Sequence, residues 1–164
     1  MLRYQNKDEM IEIVVYQESF KKGCLAAFKS NIPHYFTPDE INDFETFLDQ
    51  RAIPTNGEMQ STYYYSVLKD NEIVGCGGFG ERDRDGKVTL TWGLVHADFH
   101  KQGIGKLLLE HRLNEARKIY FSKTIYLDTS QHSAPFFQKH GFKTTKITPD
   151  FYMVGLHRYD MEFS

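Results

Sequence analysis

The stretch Val95–Lys106, V-H-A-D-F-H-K-Q-G-I-G-K, joins an alternating apolar segment to a strongly amphipathic one, with two glycines and two lysines at the junction. A glycine at the mouth of a helix lets another molecule approach the backbone closely, because no side chain stands in the way. The first-turn N–H groups have no partner inside the helix, and with the positive end of the helix dipole they favour an anion such as phosphate. The stretch therefore reads as a pyrophosphate cradle, and it requires a fold in which a strand feeds a helix.

Spacing separates the kinds of cradle. A P-loop needs a glycine five residues before its Gly-Lys pair and Ser or Thr after the Lys, where this chain has His100 and Leu107. The dinucleotide fingerprint needs a third glycine where Leu108 stands. What remains is a strand, a connection, and then Gln/Arg-x-x-Gly-x-Gly/Ala opening a helix; His100-Lys101-Gln102-Gly103-Ile104-Gly105 fits it at every position but the first.

At 164 residues the chain reads as a single domain over residues 1–164. Twenty basic and 22 acidic residues leave a net charge of −2, which gives no nucleic-acid signal. Cys24 and Cys76 lie far apart in apolar surroundings and read as buried free thiols, suited to a cytoplasmic location. No apolar run approaches membrane-spanning length, and the N-terminus lacks the apolar core of a signal peptide, so no membrane partner is expected.

Along the chain, Ile11, Ile13 and Val15 alternate as one face of a first strand. Phe20, Cys24, Leu25 and Phe28 recur at helical spacing. Thr37-Pro38-Asp39-Glu40 is a capping box opening a second helix, which should stop before Pro54. A loop is expected over 54–61. Thr62–Leu68 and Ile73–Phe79 read as a hairpin around Lys69-Asp70-Asn71-Glu72. The charged loop Glu81–Gly86 leads to a strand in which Val88, Leu90, Trp92 and Leu94 share one face, with Gly93 marking a bulge or a place where a ligand meets the backbone.

A helix from Gly103 to about Tyr120 buries Leu109, Leu113, Ala116 and Tyr120. Thr124–Asp128 is a strand, Ser133 caps a short helix ending at Gly141, and Phe142–Ile147 and Leu156–Phe163 are strands around the loop Thr148–Gly155. The order predicts an α/β (α+β) fold, a mixed sheet flanked by helices.

This order and the cradle motif resemble the GNAT superfamily of acyl-CoA-dependent N-acyltransferases. Gln138-Lys139-His140-Gly141-Phe142 is similar to the Tyr-x-Lys-x-Gly-Phe region closing that family's last helix, and the resemblance covers nearly the whole chain. It implies a mostly antiparallel sheet of about seven strands with about four helices, splayed between the fourth and fifth strands. It also implies acetyl-CoA as cosubstrate, with the pantetheine arm on Gly93, Leu94 and Val95 and the pyrophosphate on Lys101, Gln102, Gly103, Ile104, Gly105 and Lys106.

The family's catalytic positions are altered. The tyrosine that protonates the departing thiolate falls on Phe137, the preceding asparagine on Ser130, and the strand carboxylate on Thr89. Ser130 stays with the cofactor set. Asp128 and His132 are the candidate catalytic groups, with Glu81 and Asp83 as outsiders. Their structural alternatives are turn and capping chemistry for Asp128 and a polar loop position for His132. His96 and His100 lie in a connection without a carboxylate motif, so no metal is expected.

The implied activity is acetyl transfer from acetyl-CoA directly to a primary amine of a small molecule or peptide. The alternative is a non-catalytic acyl-CoA-binding or interaction module on the same fold. Neither the acceptor nor the oligomeric state is legible in the sequence, and a homodimer remains open.

Overall fold

The computed structural model describes residues 2–6, 9–51, 61–82 and 84–164. Twelve elements follow one another: β1 (Leu2–Asn6), β2 (Glu9–Val15), α1 (Lys21–Lys29), α2 (Glu40–Arg51), β3 (Thr62–Lys69), β4 (Glu72–Glu81), β5 (Val88–Val95), α3 (Ile104–Tyr120), β6 (Ile125–Ser130), α4 (Ala134–Lys139), β7 (Lys143–Met153) and β8 (Leu156–Phe163). The strands form one sheet in the order β1-β2-β3-β4-β5-β6-β8-β7, antiparallel throughout except where β5 meets β6. This is the expected mixed sheet with four helices, extended at its N-terminal edge by a strand that the polar residues 2–6 did not announce.

Two apolar clusters sandwich the sheet. On one face Leu108, Leu109 and Ala116 of α3 pack on Ile13, Val67, Phe79, Val88 and Leu90. On the other, Cys24 and Phe28 of α1 and Phe44 and Leu48 of α2 pack on Tyr64, Cys76 and Leu94. Truncating a fully buried ring such as Phe28 or Phe44 would cost about 3–5 kcal/mol. Cys24 and Cys76 are buried free thiols, as read from their surroundings.

Local chemistry explains most boundaries. Half of the capping box forms: the Thr37 amide donates to Glu40 Oε2 at 2.8 Å, while the Glu40 amide donates to the Thr37 carbonyl instead of its hydroxyl. Lysines at the start of α1 are tolerated because Lys21 Nζ meets Asp49 at 2.7 Å and Glu45 at 3.1 Å, both on α2. Asp70 and Asn71, at φ 49° and 67°, make the β3–β4 turn. Gly141 takes φ 96° where α4 stops. Ser133 occupies the N-cap position of α4, but its side chain makes no capping bond. The end of α2 before Pro54, and the loop over 54–61 apart from Ser61, lie outside the described residues.

Three expectations are corrected. Val15 is exposed at the end of β2, where Tyr16 turns inward instead. The stretch 148–155 is mostly strand: β7 runs to Met153, and an irregularity between Thr148 and Met153, with Asp150 at φ 54°, absorbs the turn-like residues. Finally, Val88 and Leu90 face α3 while Trp92 and Leu94 face α1 and α2. A bulge in β5 reverses the alternation between them.

Candidate functional site: a splayed joint beside a free helix start

β5 and β6 pair only through Val88↔Ile125 and Thr89↔Tyr126 and then part. β5 beyond Thr89 is left with an unpaired edge, and the bulge falls there. Cys76 opposes Leu94 and Gly78 opposes Thr91, so Gly77 alone faces both Trp92 and Gly93. Trp92 sits at φ 41°, and the Tyr64 hydroxyl donates to its carbonyl at 2.7 Å. Its ring packs among Phe28, Phe36, Phe44 and Phe47. The Gly93 backbone is exposed, and the place a Cβ would take is filled by the guanidinium of Arg112 from α3.

The Val95 carbonyl accepts from Asn31 Nδ2 at 2.9 Å and lies 2.8 Å from His100 Nε2. His100, which stands where the motif has Gln or Arg, is thus turned inward as a brace for the end of β5. A single helical turn, Ala97–Phe99, follows. Lys101 at φ 61° and Gly103 at φ 80° then bring the chain into α3. The amides from Lys101 to Lys106 have no partner among the described residues; the next one, Leu107, donates to Gly103 at 3.1 Å. The Gln102 side chain accepts from Lys69 Nζ at 2.9 Å, and Lys101 and Lys106 are exposed.

The two glycines serve different ends. Gly103 needs its left-handed backbone, and a Cβ there would point into open space. At Gly105 a Cβ would meet nothing nearer than Phe136 Cζ at 3.7 Å, an ordinary contact. No internal packing requires glycine at 105. Free amides, flanking lysines and open space around it suit a pyrophosphate.

Across the joint stand the β6 residues. Asp128 accepts from the Tyr152 hydroxyl at 2.7 Å and lies 3.8 Å from Arg158 Nη2. Burial, reinforced by the Asp128 charge, holds the Tyr152 phenol protonated far above its usual range. Glu40 responds to Asp128 too: burial raises its carboxyl, Thr37 hydrogen bonds oppose the rise, and Asp128 adds to it. Nothing in the sequence pointed to Glu40 as a neighbour of the Asp128 charge, because its capping role accounted for it.

The His132 ring stacks on His34 of the α1–α2 connection with centroids 4.0 Å apart. Burial, and then the neighbouring His34, pull its pKa below the usual imidazole range. Ser130 is buried, and its hydroxyl accepts from the His132 amide at 3.3 Å, which shapes the turn carrying that ring. Phe137 packs on Phe136 and Phe142, and Thr89 lies in the joined end of the sheet. Glu81 pairs with Lys123 at 2.7 Å and opposes Val88, at the closed end away from the opening. Asp83 lies outside the described residues. Arg112 was the other residue that sequence reasoning missed, although its place four residues from both Leu108 and Ala116 puts it on the buried stripe of α3. Among the described residues no group of His, Cys, Asp and Glu is placed to hold a metal ion, and no helix is long and apolar enough to cross a membrane.

Comparison with known proteins agrees with this fold. A GNAT-family protein from Desulfovibrio desulfuricans superposes with a TM-score of 0.75 at 18% identity, covering 95% of this chain and 98% of that one. The ribosomal-protein-S18-alanine N-acetyltransferase of Escherichia coli gives 0.70 at 18% identity, with 94% and 93% covered. An aminoglycoside 6'-N-acetyltransferase complexed with coenzyme A gives 0.68 at 15% identity, with 92% and 95% covered. At these identities the likeness is one of fold. No curated protein matches the chain in sequence. The family model for the acetyltransferase (GNAT) domain matches residues 33–164, most of the chain, and the chain therefore belongs to the GNAT acetyltransferase family.

Proposed function

We infer that this protein is an N-acetyltransferase that moves an acetyl group from acetyl-CoA directly to a primary amine. The observation that carries the reading is the run of unpartnered amides from Lys101 to Lys106, opening beside the unpaired edge of β5. Those amides and the two lysines hold the pyrophosphate, and Gly93, Leu94 and Val95 offer backbone to the arm. Because the Val95 carbonyl already has two partners, Gly93 and Leu94 carry more of that contact. Bound acetyl-CoA supplies an activated acyl group as a thioester.

The chain's own groups act on the acceptor. His132, neutral near pH 7 because its pKa is depressed, takes a proton from the incoming amine or orients it. Asp128 attracts the cationic amine and, with Glu40 and the protonated Tyr152, lines its approach. Several of the superposed structures are N-acetyltransferases or hold coenzyme A, which supports the same reading.

Calorimetric titration with acetyl-CoA tests it. Micromolar binding that Gly105→Glu removes is expected; no binding, or binding indifferent to that change, overturns it. Free-thiol release across a panel of amines at alkaline pH separates an enzyme from a module that only binds.

A further inference from the structure

Arg112 has no assigned part in this scheme, and its position is costly. It is 4% exposed, its Nε is sealed from solvent without a hydrogen-bond partner, and no carboxylate among the described residues pairs with it. The ionisable groups that act on it are the Tyr64 hydroxyl and the Cys76 thiol, and burial pulls its pKa down to about 10, still far above neutral. The guanidinium is a permanent cation in a low-dielectric place with no counter-charge among the described residues. Such groups persist where a ligand completes them.

Its orientation identifies the ligand. A Cβ on Gly77 would meet Nη1 at 2.8 Å, and one on Gly93 would collide with Nη1 and lie 3.0 Å from both Cζ and Nη2. The guanidinium therefore turns its Nη1 edge toward Gly93, at the bulge, where the β6-side edge of β5 is unpaired. Along α3, Arg112 stands eight residues beyond Ile104, about 12 Å of helix, and its side chain leans back toward the first turn. An extended arm with two amide units matches about four residues of strand, or about 13 Å, so an arm leaving the cradle along β5 ends within reach of Arg112.

Resting on the acetyl-transfer reading above, we propose that the Arg112 guanidinium receives the coenzyme A sulfur as it departs, stabilising the thiolate in place of the acid that Phe137 cannot be. In the step, the amine lone pair forms the C–N bond to the acyl carbon and the C–S bond breaks. The sulfur keeps the electron pair as a thiolate, and the nitrogen sheds its proton to His132 or solvent. Arg112 gives up no proton. It donates a charge-assisted hydrogen bond, and solvent protonates the thiolate on release.

The test needs no acceptor. The thiol of coenzyme A bound to the full-length protein is titrated by its far-ultraviolet thiolate absorbance, in wild type, Arg112→Lys and Arg112→Met, alongside calorimetry with desulfo-coenzyme A. The thiol should titrate at least about one pH unit lower on the wild type than free in solution, a tenfold preference for thiolate. Arg112→Lys should keep part of the shift and Arg112→Met should lose it, while all three bind desulfo-coenzyme A alike. Equal thiol titration in the three proteins, or equal loss of desulfo-coenzyme A binding in both variants, overturns the proposal. A wild type that binds neither compound would overturn the acetyl-transfer reading itself, whereas binding without a thiol shift leaves that reading intact and removes Arg112 alone.

Discussion

The Tyr64 hydroxyl on β3 reaches across β4 to donate to the Trp92 carbonyl on β5 at 2.7 Å. It can do so because Gly78 lies between them; a Cβ there would stand 2.6 Å from the Tyr64 ring. One hydrogen bond thus holds the bulge that turns Gly93 toward α3. Tyr64→Phe removes this donor from a half-buried carbonyl and should cost about 1–3 kcal/mol. Urea unfolding measures the loss, and calorimetry should show weaker acetyl-CoA binding in the same variant.

Stability and binding should separate at Gly105. Its helical position and open Cβ site mean that Gly105→Ala adds helix propensity and should raise stability by about 0.5–1 kcal/mol. The added methyl group stands where the pyrophosphate approaches, so acetyl-CoA affinity should fall. A thermal melt and a titration on one sample check both signs; a variant less stable than wild type would mean that packing requires the glycine.

His132→Ala should lower turnover by about 100-fold or more while acetyl-CoA affinity changes little, because the ring's contacts are with His34 and Tyr35 rather than with residues 101–106. Steady-state kinetics beside calorimetry distinguish the two effects. Equal turnover in mutant and wild type removes His132 from the chemistry.

Arg112→Met should raise the melting temperature of the unliganded protein. An unpartnered buried cation is replaced by an apolar chain of similar length, and the desolvation cost disappears. A lower melting temperature would assign Arg112 to structure.

Acid should destabilise the fold through His111. Both ring nitrogens are buried without partners, the ring packs edge-on to Tyr65 at 4.5 Å, and burial depresses its pKa below the unfolded value of about 6.5. The unfolded chain then binds a proton that the folded chain refuses, so stability is intact above about pH 6.5 and declines as pH falls toward the folded pKa. Melting temperature against pH should show this decline, and His111→Phe should flatten it. A residual slope of the same sign is expected from His132.

The start of α3 was legible because its chemistry is backbone chemistry, written locally by Gly103. The capping box at Thr37 and the turn at Asp70–Asn71 were legible for the same reason. Trp92 was assigned to the wrong face because one bulged residue inverts the alternation on which the reading of a strand depends. Glu40 and Arg112 were hidden by their second roles, since a cap residue and a charged residue on a helix both have ordinary explanations. Only tertiary placement shows that one feels the Asp128 charge and that the other has no carboxylate partner among the described residues. Residues 2–6 gave no strand signal, as their pairing is supplied by β2.

The two register pairs between β5 and β6 also set how cooperatively the molecule behaves. β6, β8 and β7 form an antiparallel unit of their own, attached to the other five strands by that short ladder and by the packing of α3 and α4. The two portions have the makings of separate opening units, each with its own protection against hydrogen exchange. A ligand lying along the edge of β5 and against β6 would act as the missing length of ladder between them. Coenzyme A binding should therefore slow exchange in β6 and β8 as well as in β5, by a factor that tracks its saturation.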